Sequence, residues 1–297
     1  MGSVAVIGVG SMGRPMAENL LKAGFRVSVC DLREEALAPF RARGVPASAD
    51  ARDSGSADMI IIMVGNDGDV AEVIGKLKTA IDRARPPLVA IMSSVLPRTI
   101  KQAEADLAPT GAVVIDAPVS GGPVRAAEAR MSIMAAGDDA AFARAEPAFQ
   151  ALGQPIFRCG PVGAAASVKI VNNILGVSNM LLMTEAAHLA TRIGIDLPFL
   201  LEIMEVSSGR NYASGNFAAF RALTLSNGQD LATTSRLLAI LKKDLGLAAT
   251  LSAEETVSMP ILQAVAGATR GLDAEDLFAR WQDTLGRFGK EWQGGSE

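Results

Sequence analysis

One histidine, one tyrosine, two tryptophans and two cysteines in 297 residues close off much of protein chemistry before any pattern is read. Cys30 and Cys159, each at the end of a strand-like run, do not make a disulfide framework and fit buried thiols in a reducing compartment. Aromatic residues are 4% of a chain of net charge -4 that has no basic run, so it offers neither the stacking platforms nor the electrostatic footprint of a nucleic-acid binder. No His, Cys and carboxylate cluster has metal-ligand spacing, and no metal is expected. The most apolar stretch, near 170–190, is interrupted by Asn172, Asn173, Asn179, Glu185 and His188, which argues against a membrane span of about 20 apolar residues. Met1 runs directly into Ser3-Val-Ala-Val-Ile-Gly8 and leaves no room for an export signal, so a cytoplasmic protein without a membrane partner is expected.

The apolar pattern itself is rich. Short β-branched runs (Val4–Ile7, Arg26–Cys30, Met59–Val64, Leu88–Met92, Ala112–Ile115, Ser132–Ala135 and Ile156–Arg158) alternate with helix-length segments, among them 11–23 and 34–43. The period switches repeatedly from 2 to 3.6, the signature of a mostly parallel sheet covered on both faces. After Gly160-Pro-Val-Gly163 the period stays helical as far as Trp292, broken only at Gly and Pro positions such as Gly194, Pro198, Gly228 and Pro260. Two domains are expected: a doubly wound α/β domain of the Rossmann type over 1–162 and an all-α domain over 163–297, the latter ending in a frayed Gly-Gly-Ser tail.

Gly8-Val-Gly-Ser-Met-Gly13 fits G-x-G-x-x-G in the required setting, with a strand before it and a helix after it. Gly8 makes the tight turn, Gly10 lets backbone approach a pyrophosphate, and Gly13 packs helix against strand, so that helix N-terminal amides face the phosphates. Asp31 ends the second strand, where a carboxylate accepts the adenosine ribose hydroxyls and repels a 2′-phosphate, favouring NAD with NADP possible. Asp31 as the N-cap of the next helix is the alternative, and nearby Arg33 either serves a 2′-phosphate or lies on the surface.

Hydride transfer at a carbinol carbon needs a group that handles the hydroxyl proton, and candidates are scarce. His188 lies 19 residues beyond Lys169 on one predicted helix, about 28 Å away. Tyr212 is followed four residues later by Asn216 rather than lysine, and neither cysteine has a histidine partner in sequence. Of eight lysines, Lys22, Lys76, Lys78, Lys101 and Lys290 fall on polar helix faces. Lys169 instead sits among Val168, Ile170 and Val171, where an ammonium deprived of water releases its proton more readily. Asn173 shares its helix face at i+4. Taken alone, Lys169 is either catalytic or snorkels to solvent, and Lys243-Asp244 is either functional or a solvated pair.

Four motifs, in order, make the chain resemble the β-hydroxyacid dehydrogenases, the group that includes 3-hydroxyisobutyrate dehydrogenase and tartronate semialdehyde reductase. They are Gly8-Val-Gly-Ser-Met-Gly-Arg-Pro-Met-Ala-Glu-Asn-Leu20, Asp116-Ala-Pro-Val-Ser-Gly-Gly122, Gly163 through Lys169 to Asn173, and Lys243-Asp-Leu-Gly-Leu-Ala248. The resemblance implies Lys169 as the catalytic residue, substrate binding by Ser120, Gly121, Gly122 and Asn173, and a cofactor site formed by Gly8, Gly10, Met12, Gly13, Asp31, Val64, Ser94 and Lys243. Ser94 stands where the family usually has threonine, and Val64-Gly65 where it commonly has leucine-proline. Arg210, in Ser207-Ser-Gly-Arg-Asn-Tyr212, either contacts a substrate acid or caps a helix end.

The expected activity is hydride transfer between NAD(P) and a short 3-hydroxy acid or the matching semialdehyde. Lys169 would act as acid/base, and the enzyme would work as a homodimer or homotetramer. Tartronate or succinic semialdehyde reduction is the near alternative. An imine-reducing relative usually lacks this lysine, and a non-catalytic nucleotide-binding module would be expected to lose it.

Overall fold

The computed structural model describes residues 2–215 and 231–286. Asn216, Gly228, Lys290, the helical pattern beyond 286 and the Gly-Gly-Ser tail lie outside the described residues. The chain divides into two compact units, Met1–Ile170 and Val171–Glu297.

In the first unit the strands are β1 (Ser3–Ile7), β2 (Arg26–Cys30), β3 (Ala47–Ser48), β4 (Met59–Ile62), β5 (Leu88–Ile91), β6 (Val113–Asp116), β7 (Val119–Ser120), β8 (Ser132–Ala136) and β9 (Ile156–Gly160). They form one sheet in the order β3-β2-β1-β4-β5-β6-β8-β7, with β9 against β8. Pairing is parallel except where β8 meets β6 and β7. The helices are α1 (Gly13–Lys22), α2 (Glu34–Arg41), α3 (Asp67–Leu77), α4 (Pro97–Leu107), α5 (Gly122–Ala127) and α6 (Asp139–Leu152). The strand runs are continuously apolar because alternate residues enter different cores. Val4 and Val6 pack with Leu20, Phe40 and Phe149, while Ala5 and Ile7 pack with Ile60, Val70 and Ile74. Strand order reverses between β1 and β4, and a crevice opens at such a switch beyond the carboxyl ends of the strands. The loops that follow β1, β2, β4, β5 and β6 all emerge on that edge.

Helix α7 (Ala164–Arg192) begins in the first unit and ends in the second. The second unit continues with α8 (Leu197–Glu205), α9 (Tyr212–Gly215), α10 (Leu231–Glu254), α11 (Pro260–Arg270) and α12 (Ala274–Gly286). Met183, Ala187, Leu197, Leu201, Leu238, Leu277 and Trp281 form its core. The buried indole of Trp281 donates to Thr184 Oγ1 at 3.2 Å, the partner that an amphipathic ring needs when it leaves water. By length and composition α7 reaches the range of a membrane span. Its amides, Glu185 and His188 therefore do not exclude such a span on composition, a test that core helices of globular proteins also pass.

Candidate active site

The phosphate loop is built by close approach. A Cβ on Gly13 would stand 1.8 Å from the Gly8 carbonyl oxygen and one on Gly8 2.3 Å from that of Met63, so α1 and the residue after β4 can come this near to the turn after β1 only without side chains there. At Gly10 the nearest atom is Arg33 Nη2, 3.6 Å from the Cβ position, which leaves the loop open to an approaching group. Met12 stands at the N-cap of α1 without a side-chain cap, and the first turn has no acidic residue. No side chain of the chain itself occupies the head of this helix, and the pyrophosphate of a dinucleotide fits this cradle.

Asp31 follows β2 and turns back on the loop. Its Oδ2 accepts the Val9 amide at 3.0 Å and Arg33 Nη2 at 3.2 Å, and its Oδ1 accepts the Arg33 amide at 3.0 Å and Nε at 3.1 Å. Burial pushes the carboxyl up, but the hydrogen bonds and charge of Arg33, with the Val9 amide, outweigh it and hold Asp31 below the ordinary carboxylate range. Asp31 does not cap α2, whose N-cap is Arg33 with no side-chain cap bond. On the neighbouring loops the Val64 amide donates to Ser93 Oγ at 2.8 Å, and Ser93 Oγ donates to the Val64 carbonyl at 2.9 Å. The buried Ser93 ties the ends of β4 and β5 together, while Ser94 beside it is half-buried.

Ser120 is the last residue of β7 and is paired with Ser132 of β8. Gly121 follows at φ 135° as the N-cap of α5, and a Cβ there would stand 2.9 Å from Cβ of Arg125. Both conformation and space therefore reserve this position for glycine. Asn19, buried on α1, donates to the Ala126 carbonyl at 2.7 Å and links the helix of the phosphate loop to the helix that follows Ser120-Gly121-Gly122.

Lys169 is 7% exposed on α7. The apolar neighbours that appear to bury it in the sequence do so only in part: Ile170 is buried, but Val168 and Val171 turn outward at 44% and 58% exposure. The buried side of this turn is made by Ala165, Ala166, Lys169 and Ile170, an i, i+3/i+4 face on which the lysine is the one cation.

The helix is held at its start by a residue that motif reading passed over. Asp116, fully buried at the end of β6, accepts the amides of Gly163 at 2.8 Å and Ala166 at 2.9 Å, two of the donors that a helix N-terminus leaves unpaired. Burial raises its carboxyl above the ordinary value despite the opposing amide hydrogen bonds. The signal was its place as the first letter of the second motif, but the partners lie 47 and 50 residues away.

In the second unit Asn173, half-buried, donates Nδ2 to Asp244 Oδ2 at 2.9 Å. Lys243 Nζ stands 2.9 Å from Asp244 Oδ1. That oxygen is buried with no directional hydrogen bond among the described residues, so the contact is an ion pair by distance rather than an aligned bond. Lys243-Asp244 is therefore not a solvated pair on a helix surface: Asp244 is 8% exposed and touches both family residues of this unit. Lys242, next to it, donates to the carbonyls of Arg270 and Leu272 and serves the end of α11.

The remaining candidates have structural partners. His188 Nδ1 lies 3.0 Å from Thr284 Oγ1, and Arg210 pairs with Glu205 at the end of α8 at 3.4 Å. Cys30 is buried, its thiol pushed up to about 11 by burial and by Asp31, whereas Cys159 is only half-buried, contrary to the expectation for it. A hollow of about 430 Å³ between α3 and α4 involves none of the candidate residues.

The chain is similar to known proteins over most of its length. Residues 3–161 match the family profile described as the NAD binding domain of 6-phosphogluconate dehydrogenase, and residues 163–283 match that described as NAD-binding of NADP-dependent 3-hydroxyisobutyrate dehydrogenase. The chain is 37% identical over 215 residues to an NAD-dependent L-serine dehydrogenase of Pseudomonas aeruginosa, covering 72% of each. It is 34% identical over 294 residues to a 2-(hydroxymethyl)glutarate dehydrogenase of Eubacterium barkeri, covering 93% of this chain and 92% of that one. The solved structure of Mycobacterium tuberculosis 3-hydroxyisobutyrate dehydrogenase with L-serine superposes with a TM-score of 0.77 at 26% identity, over 94% of this chain and 98% of that one. With the phosphate cradle, the Ser120 loop and the buried lysine in family order, the chain belongs to the 3-hydroxyisobutyrate dehydrogenase-like β-hydroxyacid dehydrogenases, NAD(P)-dependent oxidoreductases that act on CH-OH.

Proposed function

We propose that this protein oxidises a short 3-hydroxy acid, of the size of L-serine or 3-hydroxyisobutyrate, or reduces the matching semialdehyde, with Lys169 as acid/base and NAD as the preferred dinucleotide. The observation that carries this reading is the burial of Lys169, at 7% exposure, on a helix whose first turn is fixed by Asp116. An ammonium kept from solvent and aimed by a rigid element is positioned for proton transfer, whereas a snorkelling lysine is not. The L-serine dehydrogenase and the L-serine complex among the relatives support the size and the 3-hydroxy acid class of the substrate.

Ser120, with the backbone amides of Gly121 and Gly122, holds the substrate carboxylate, where the absence of Cβ atoms lets an anion come close. The nicotinamide, when bound, supplies the hydride acceptor. Lys169 takes the hydroxyl proton during oxidation and, as an ammonium, polarises the carbonyl during reduction. Asn173 keeps one amide proton for a substrate oxygen while the other is engaged by Asp244. Asp31 selects NAD by accepting ribose hydroxyls. Replacing Lys169 by alanine is expected to lower turnover by about 10² to 10⁴ with little change in NADH affinity. Steady-state rates on L-serine, 3-hydroxyisobutyrate, threonate and glycerate, with NADH fluorescence titration, measure both; a variant that keeps most of its turnover sinks the assignment.

The reading extends to assembly as a homodimer or homotetramer. Leu175, Leu182 and Leu189 stand 64%, 55% and 61% exposed at seven-residue spacing along α7, one stripe of large apolar residues that a second copy of the chain covers. Sedimentation velocity should give an oligomer for the native chain and a smaller species for Leu182→Glu; an unchanged sedimentation coefficient in that variant would contradict the stripe as an interface.

A further inference from the structure

The segment that presents Ser120, Gly121 and Gly122 cannot hold its shape alone. Gly121 and Gly122 take φ of 135° and 71°, and fixing a glycine costs more backbone freedom than fixing any other residue. The helix after them, α5, has six residues, too few to be stable by themselves. Its order therefore comes from outside. Val119 and Ala126, on either side of the glycines, pack in one core with Met16 and Ala17 of α1, and Arg125 Nε donates to the Arg130 carbonyl at 3.0 Å. Asn19 of α1 adds direction to that packing: its Nδ2 donates to the Ala126 carbonyl at 2.7 Å, across 107 residues of sequence. At 6% exposure, it makes this bond where water does not compete. The same helix starts at Gly13, where the phosphate loop ends.

We propose that Asn19 is a positioning residue that couples the phosphate loop to the Ser120 segment, so that a bound dinucleotide orders the backbone that receives the substrate carboxylate. The inference rests on the reading of Ser120, Gly121 and Gly122 as the carboxylate site. A pyrophosphate at the head of α1 fixes that helix, and Asn19 moves with it as part of one rigid element. The carboxylate then meets glycines whose freedom is already reduced, and a second ligand that binds an ordered segment binds more tightly. Apolar contacts of Val119 and Ala126 remain without Asn19, but they are non-directional and do not fix the turn of α5 against α1. The Ala126 carbonyl also accepts the Ala129 amide at 3.3 Å, so loss of Asn19 does not leave it without a donor. The effect thus falls on coupling between ligands more than on folding.

The test is a dead-end complex of NADH with the hydroxy acid, among L-serine, 3-hydroxyisobutyrate, threonate and glycerate, that the native chain oxidises fastest. Both ligands are already reduced and cannot react. NADH affinity is read by nicotinamide fluorescence with and without the acid, in the native chain, Asn19→Leu, Asn19→Ala and Ser120→Ala. In the native chain the acid is expected to tighten NADH by about fivefold or more, and NADH to tighten the acid by the same factor. Asn19→Leu should bring that factor below about twofold while NADH alone binds as in the native chain, with KM for the acid raised and kcat within about twofold. A residue that only stabilises the fold would not move the factor. No tightening in the native chain, or an undiminished factor in Asn19→Leu, overturns the role of Asn19. Ser120→Ala separates this outcome from failure of the carboxylate reading, since unchanged affinity for the acid in that variant sinks the site itself. Should Asn19→Leu not fold, Asn19→Ala is judged by the same factor.

Discussion

Asp31 and Asp116 occupy equivalent places, one just beyond β2 and the other at the end of β6, on the same edge of one sheet. They have opposite lives. Asp31 is bound half by the exposed side chain of Arg33 and half by the backbone amides of Val9 and Arg33, and is held below the ordinary carboxylate range. Asp116 is out of water, bound by two rigid backbone amides, and is raised above it. A carboxylate paired with an exposed side chain has a partner that water can replace. One that must keep a helix in place has partners that water cannot.

The largest effect separating the two should come from truncation. Asp116→Ala strands the amides of Gly163 and Ala166 in a buried setting and is expected to cost about 2 to 4 kcal/mol in urea unfolding, against about 1 kcal/mol or less for Asp31→Ala, whose partner returns to water. Equal losses would erase the distinction. The Asp116 variant should also lose turnover through Lys169, so NADH affinity near the native value with reduced kcat would separate a displaced lysine from a collapsed domain.

A smaller effect, but one of opposite sign at the two sites, lies in the pH dependence of stability. A raised carboxyl binds its proton more tightly in the folded state. The native chain should therefore lose stability relative to Asp116→Asn as pH rises from 3.8 through the raised folded value. A depressed carboxyl does the reverse. The advantage of the native chain over Arg33→Ala should be present above pH 3.8 and fade as pH falls through the lowered folded value of Asp31. Urea midpoints across the acid range measure both slopes, and slopes of one sign would break the contrast.

Much of this architecture is legible in one dimension because its signals are local. The runs of β1, β2, β4, β5, β6, β8 and β9 reach the four or five residues at which a strand declares itself, and the helical period of α7 persists for 29 residues. The strands β3 and β7 have two residues each, too few to show any period, so the sequence reading leaves Ser120 outside the strands until β8 is seen beside it. Lys169 stands out because a cation in an apolar helix is a local anomaly. Asp116 and Asp244 do not, since an acid at a strand end or beside a lysine is unremarkable until its partners are known.

The sequence alone thus determined the two-part plan and the glycine-rich turn after β1 and singled out Asp31 and Lys169, all properties of segments shorter than about 30 residues in which spacing dictates face and turn. Only the tertiary structure decided which charges are buried and with whom. Asp116 meets an amide 50 residues away, and Asp244 meets an amide side chain 71 residues away. It also showed that the valines beside Lys169 turn outward. Burial and pairing are set by elements that come together through the fold, and no local pattern encodes which distant backbone amide will arrive at a given carboxylate.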